Sequence, residues 1–317
     1  MLPAKVAAIA QYCHRGGYRT SKWVLVGTVA RTHSDGMKIS VLGLGHMGTA
    51  IATHLIDEGH QVTVWNRTPS RATPFADRAL LAADPAKAAA SADLVIVSTL
   101  DNTAARSILV SAGEVIRASL VVNLSSDTPA SSRALSQWAH VHGVRYLAGV
   151  MVTPSTIIGQ SGSTMLVAGD ETDLHTAMAV LTTIAPTLTV LGNRHELPAS
   201  FDTALLGVFW TTLAAWAHGT ALARAHGIDG KSIAAQLTAM VHLAADIGPG
   251  FARDADNRTY PAETSTIMSA VTTMQHVTTA SKDAGVDSSL PAAVTALYEH
   301  AASGHQTESP SRVSEAM

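Results

Sequence analysis

Residues 38–65 read KISVLGLGHMGTAIATHLIDEGHQVTVW, and the fold turns on this stretch. Lys38 to Leu42 is a short apolar run ending at glycine, the pattern of a buried strand. It leads directly into Gly43-Leu44-Gly45-His46-Met47-Gly48 and then into a helical pattern from Thr49 to Glu58. Gly59 ends that helix, and Gln61 to Trp65 is a second strand. A lone G-x-G-x-x-G is weak evidence, but between a strand and a helix it has a physical meaning. Gly43 permits the tight turn, Gly45 lets the backbone approach a pyrophosphate, and Gly48 lets the helix pack on the strand. Backbone N–H groups around Leu44, Gly45, His46 and Met47 then face the anion at the helix N-terminus.

The end of the second strand selects the cofactor. A site for NAD places Asp or Glu there, about 20 residues on, to bind the ribose hydroxyls. This chain has Asn66-Arg67-Thr68-Pro69-Ser70-Arg71 instead. A carboxylate would repel a 2′-phosphate, whereas Arg67 and Arg71 attract it and Thr68 can donate a hydrogen bond. The expected cofactor is NADPH/NADP.

The pattern then repeats. Leu94–Thr99, Leu120–Leu124, Arg145–Val150, Thr164–Ala168 and Thr187–Leu191 read as strands. Helical stretches near 85–90, 103–112, 129–142 and 171–184 separate most of them. Alternating strands and helices imply an α/β fold with a doubly wound, largely parallel sheet of the Rossmann type. Ligands of such sheets bind beyond the carboxyl ends of the strands. That rule points to Thr99-Leu100-Asp101-Asn102, Asn123-Leu124-Ser125-Ser126 and Met151-Val152-Thr153-Pro154-Ser155. Thr99, Leu100, Asn123 and Ser125 are candidates for the cofactor, and Met151 for the substrate pocket.

Next comes LPASFDTALLGVFWTTLAAWAHGTALARAH, residues 197–226. Pro198 suits a first helical turn, where its missing N–H costs nothing, and Gly227 stands where a helix terminator is preferred. The whole reads as one helix of about eight turns. From Phe201 to Ala223 its single formal charge is Asp202. A membrane span needs ~20 apolar residues. Thr203, Thr211, Thr212 and His218 interrupt this run, and a cofactor domain precedes it, so we expect a helix connecting two domains and buried by a partner chain. Helical patterns follow at 231–245, 262–284 and 291–302, broken at Gly248-Pro249-Gly250 and at Gly285. Met240 is a candidate pocket residue there, although Met at helical spacing is more often core.

Composition removes other classes of function. With 21 Lys and Arg against 24 Asp and Glu there is no basic excess, so we expect no nucleic-acid partner. The single Cys13 provides no disulfide framework or Cys-based metal site. The 15 His are scattered without an HExxH, so no metal is expected.

Residues 43–71 (GLGHMGTAIATHLIDEGHQVTVWNRTPSR), with the NLSS segment and the long helix, resemble the β-hydroxyacid dehydrogenase superfamily. Gly149-Val150-Met151-Val152-Thr153-Pro154 and residues 201–210 (FDTALLGVFW) bring the closer resemblance to its imine reductase branch, over about Met37 to Gly304. Hydroxyacid dehydrogenases carry a catalytic Lys near the start of the long helix, and the matching position here is Asp202. The chain's lysines are Lys5, Lys22, Lys38, Lys87, Lys231 and Lys282, so none falls in the long helix. The change of sign fits a change of substrate. Ketone reduction develops alkoxide charge that an ammonium stabilises, whereas an iminium is a cation that a carboxylate stabilises. An acid near a helix start also stabilises the macrodipole by ~0.3–1 kcal/mol with no catalytic role. Helical spacing puts Phe209 on the face of Asp202 and Trp210 about 80° round, walls either of a substrate pocket or of packing.

The resemblance implies NADPH-dependent reduction of C=N bonds in a small-molecule imine. The alternatives are a 3-hydroxyacid dehydrogenase-like enzyme and a noncatalytic NADP-binding scaffold. It further implies a homodimer whose chains exchange helical domains. The expected organisation is a poorly ordered extension at 1–36, a Rossmann domain at 37–196, an all-α domain at 197–304 and a frayed polar tail at 305–317. No secretory signal or membrane span is read, and a cytoplasmic protein is expected.

Overall fold

The computed structural model describes residues 24–26, 37–90 and 92–317. The expectation for residues 1–36 lies outside the described residues except at Val24–Val26, a short strand, β1. The chain divides into two compact units, residues 1–205 and 206–317.

In the first unit the opening stretch folds as read. Strand β2 (Lys38–Leu42) leads through the glycine turn into helix α1 (His46–Asp57) and strand β3 (Gln61–Trp65). The register is parallel, Lys38 opposite Gln61 and Leu42 opposite Trp65. Then come β4 (Leu80–Leu81), α2 (Pro85–Ala89), β5 (Leu94–Val97), α3 (Asn102–Ala112), β6 (Leu120–Asn123), α4 (Pro129–Val141) and β7 (Arg145–Met151). Strand β8 (Thr164–Ala168), α5 (Glu171–Ile184) and β9 (Thr187–Val190) complete the unit, before the long helix α6 (Leu197–Ala225).

The sheet order is β1-β9-β8-β7-β6-β5-β2-β3-β4. Pairing is parallel from β4 through β7; β8 runs antiparallel to β7, and β1 antiparallel to β9. This is the Rossmann-like arrangement, and its physical cause is burial on both faces. Successive side chains point to opposite faces, so Ile39, Val41, Leu94 and Ile96 join one core with Ile51 and Leu55 of α1 and Leu181 of α5. Leu42, Val95 and Val97 join the other, with Ile108 and Leu109 of α3 and Leu135 of α4. Strand β4 was not anticipated; its two leucines are exposed, and it is too short to carry a hydrophobic period.

The second unit holds α6 from Leu206 onward, α7 (Gly230–Asn257), α8 (Ile267–Asp283) and α9 (Ser289–Ala302). Two expectations fail here. Helix α7 does not stop at Gly248-Pro249-Gly250 but runs through Pro249 to Asn257. Proline removes one hydrogen bond and crowds one carbonyl, a local loss that a 28-residue helix absorbs. The tail after Gly304 is not frayed. Val313 joins Ile267, Val271 and Ala301 in the unit's core, and Ser311 is buried with its hydroxyl donating to Asp254 Oδ2 at 2.8 Å. His305, Ser311, Arg312 and Glu315 make hydrogen bonds inside the unit, while Gln306 and Thr307 stay exposed.

Apolar side chains nevertheless crowd the surface of this unit. On α6, Val208 is 70% exposed and Trp210 63% exposed, and Met240, Leu243 and Ile247 are exposed on α7. Among the described residues no helix is long and apolar enough to cross a membrane.

Candidate active site

The glycine turn owes its shape to two contacts that no side chain could survive. Gly43 has φ +100°, and a Cβ there would sit 2.2 Å from Ser98 O. A Cβ on Gly48 would sit 1.9 Å from Gly43 O, so α1 rests directly on the turn. At Gly45 the position is reversed, with nothing within 4 Å of a built Cβ. Gly45 caps α1 without any side-chain hydrogen bond, and the first turn of α1 holds no acid. The N–H groups of a first helical turn have no partner within the helix. Open space above Gly45, first-turn N–H groups without a partner in the helix and the positive end of α1 together fit a pyrophosphate.

The loop after β3 is tied to that turn. Asn66 Oδ1 accepts from Leu44 N–H at 2.9 Å, and its Nδ2 donates to Thr68 O at 3.0 Å. An aspartate could make the first bond but not the second, because a carboxylate has no N–H. Asn66 therefore shapes the loop as well as leaving it free of negative charge. Arg71 closes a short 3-10 turn, Pro69–Arg71, and donates through Nη1 to Leu44 O at 3.4 Å. Arg67 and Thr68 are exposed beside it. Arg67 and Arg71 form a cationic rim next to the glycine turn, with the Thr68 hydroxyl in the same loop, suited to a ribose phosphate.

At the ends of β5 and β6 a polar network joins the two loops singled out from sequence. Thr99 N–H donates to Ser125 Oγ at 3.0 Å, and the two hydroxyls lie 2.8 Å apart. Asn123 is buried; it donates to Asn102 Oδ1 at 2.8 Å and to Tyr146 Oη at 2.9 Å, and accepts from Ser125 N–H at 3.2 Å. Burial pushes the Tyr146 hydroxyl far above its ordinary pKa, against the smaller effect of Asn123, so it stays protonated. Leu100 points into solvent at 88% exposure.

Asp202 lies in the second turn of α6 and is only 4% exposed. The Ser126 hydroxyl donates to its Oδ2. Burial raises the carboxyl above the usual carboxylate range, and the Ser126 hydrogen bond acts in the opposite direction. A buried acid with one hydroxyl donor keeps unfilled acceptor capacity. Ser126 stood in the NLSS segment without an assigned role. Only the fold reveals that neighbouring serines diverge, Ser125 to Thr99 and Ser126 to Asp202.

The substrate candidates differ in setting. Met151, at the end of β7, is half-buried against the core shared with β2 and α1. Phe209 and Trp210 are exposed in the second unit, their rings edge to face with centroids 5.2 Å apart. Met240 is 60% exposed on α7. Among the described residues no cluster of three or more His, Cys, Asp or Glu could hold a metal ion.

A parallel sheet with this turn, a cationic loop without an acid and a buried acid at the head of a long helix define an NADP-dependent oxidoreductase. Residues 38–192 match the NAD binding domain of 6-phosphogluconate dehydrogenase, and residues 195–317 match the NADPH-dependent reductive aminase-like C-terminal domain. The chain is similar to an imine reductase of Streptomyces aurantiacus, at 31% identity and a TM-score of 0.84, covering 88% of this chain and 99% of that one. It is similar to a reductive aminase of Aspergillus terreus, solved in complex with NADPH4, cyclohexanone and allyl amine, at 28% identity and a TM-score of 0.83 over the same 88% and 99%. An NADPH-dependent reductive aminase of Aspergillus oryzae is 27% identical over 85% of this chain and 93% of its own length. The chain belongs to the imine reductase and reductive aminase family.

Proposed function

We propose that the chain reduces the C=N bond of a protonated imine, and that the Asp202 carboxylate stabilises the cation as it reacts. NADPH, when bound, supplies the hydride. The hydride adds to the imine carbon while the C=N π pair moves to nitrogen, so the iminium charge is lost and an amine results. A negative charge beside that nitrogen raises the population of the protonated form, and a low-dielectric setting strengthens the interaction. Ser126 holds one oxygen of Asp202 and leaves the other for the substrate. The observation that carries this reading is the burial of Asp202 on a Ser126 donor, at the position where hydroxyacid dehydrogenases carry Lys.

The other assignments follow the geometry. Gly43 to Gly48 hold the pyrophosphate, with Asn66 fixing the turn. Arg67, Thr68 and Arg71 bind the 2′-phosphate, and Thr99, Leu100, Asn123 and Ser125 border the cofactor. Met151, Phe209, Trp210 and Met240 wall the substrate pocket in a homodimer that exchanges helical domains. The exposed apolar surfaces of α6 and α7 support such a dimer, because monomers rarely leave large apolar patches in water. We also place the protein in the cytoplasm, which fractionation against a cytoplasmic marker enzyme tests.

The deciding assay follows NADPH oxidation with a cyclic imine and, in parallel, NADP reduction with a 3-hydroxyacid. Turnover of the imine alone is expected. Turnover of the hydroxyacid alone would favour the dehydrogenase alternative, and turnover of neither would favour a scaffold.

A further inference from the structure

Between α3 and α4 lies a groove of about 530 Å³ that shares no residue with the glycine turn or the cationic loop. Its volume falls in the range of small-molecule sites. Val110 and Ala134 supply apolar surface over the buried Leu135, Ser107 and Ser131 supply hydroxyls, and Trp138 and Arg106 also line the groove. Trp138 is held by His142, whose ring stacks on it with centroids 4.5 Å apart and whose Nδ1–H donates to its carbonyl at 2.8 Å. The Arg106 guanidinium lies over the Trp138 ring, 5.9 Å from its centroid.

Arg106 has no carboxylate partner among the described residues. Two acids stand next to the lining: Asp127 accepts from Asn102 N–H at 2.9 Å, Ser131 Oγ at 2.9 Å and Thr128 N–H at 2.6 Å, and Asp101 accepts from Ala104 N–H at 2.8 Å. The groove thus offers one uncompensated cation, an aromatic wall and an apolar floor. A guanidinium matches a carboxylate in two parallel hydrogen bonds, and the indole and Val110 match an apolar body. We infer that this groove binds a small carboxylate with an aromatic or branched apolar body.

The position of the groove gives such a ligand a route to the catalytic loops. Asn102 lines the groove, and its side chain accepts from Asn123, which also holds Ser125. Ser131 lines it too and donates to Asp127, the residue directly after Ser126. An occupant therefore touches two residues that shape the loop presenting Ser126 to Asp202.

The test is calorimetric titration of 3-phenylpropionate into the full chain saturated with NADP, alongside the neutral 3-phenylpropanamide. Binding of the acid is expected, with the amide and the Arg106→Ala variant each weaker by about tenfold or more, the worth of a charge-assisted contact. Arg106→Ala should keep its imine kcat/KM when no acid is added. Ser107→Trp, which fills the groove and leaves the arginine in place, should also abolish binding. Absence of binding to wild type, equal affinity for acid and amide, or binding unchanged in both variants would overturn the inference.

Discussion

The Ser126 hydroxyl donates a hydrogen bond to the buried carboxylate of Asp202, joining the loop after β6 to the head of α6 across 76 positions of sequence. Burial raises the Asp202 carboxyl and Ser126 lowers it. If the anion is the working form, kcat/KM for an imine rises with pH through the Asp202 pKa. Removing the donor in Ser126→Ala should move that acid limb to higher pH while the limb keeps its direction. A limb that stays in place would show that Ser126 does not act through Asp202. A rate that instead falls as pH rises through this region would make Asp202 a proton donor.

The same shift has a consequence for stability. A carboxyl whose pKa is higher folded than unfolded makes the native state bind the extra proton, so stability is full below the unfolded pKa and declines as pH rises through the folded one. Asp202→Asn keeps an acceptor for Ser126 and removes the buried charge. At pH 7 its Tm should equal or exceed that of wild type, by a few °C at most for a chain of this size. The difference should vanish toward pH 4. A clearly lower Tm at pH 7 would mean that the acid serves chiefly as a favourable charge on the helix dipole.

Arg67 and Arg71 border the glycine turn with no acid beside them in the loop. Replacing both with Ala should raise KM for NADPH at least tenfold, on the scale of lost charge-assisted bonds, and leave KM for NADH nearly unchanged. Equal use of NADH and NADPH by wild type would contradict the assignment of this loop.

Trp210, Val208, Phe209 and Met240 are each more than half exposed. A homodimer covering them should bury well over the ~2,000 Å² at which obligate interfaces begin. Light scattering at micromolar concentration should give twice the chain mass of 32.9 kDa. A monodisperse monomer would rule the dimer out.

Most of the first unit was legible in sequence because its signals are local. The run from β2 to β3 carries strand, turn and helix in 28 consecutive residues, and the three glycines have purely steric reasons. The second unit was less legible. A proline normally ends a helix, yet α7 passes through Pro249, because the loss of one hydrogen bond is local and the rest of a 28-residue helix carries on past it. The polar tail gave no apolar period, so its docking through Ser311 and Val313 could be seen only in three dimensions. Asp202 stands out in sequence because its residue type breaks an apolar helix. Its contact with Ser126 does not, because a serine in a serine-rich loop announces no partner.

The most direct test is kcat/KM of Asp202→Asn for a cyclic imine at saturating NADPH. The variant preserves shape and the Ser126 contact and deletes only the charge. A lost charge-assisted interaction is worth ~1.5–3 kcal/mol, so the rate should fall roughly ten- to a hundredfold. KM for NADPH should hardly move. Imine turnover equal to wild type in a folded variant would contradict the account and remove Asp202 from the chemistry.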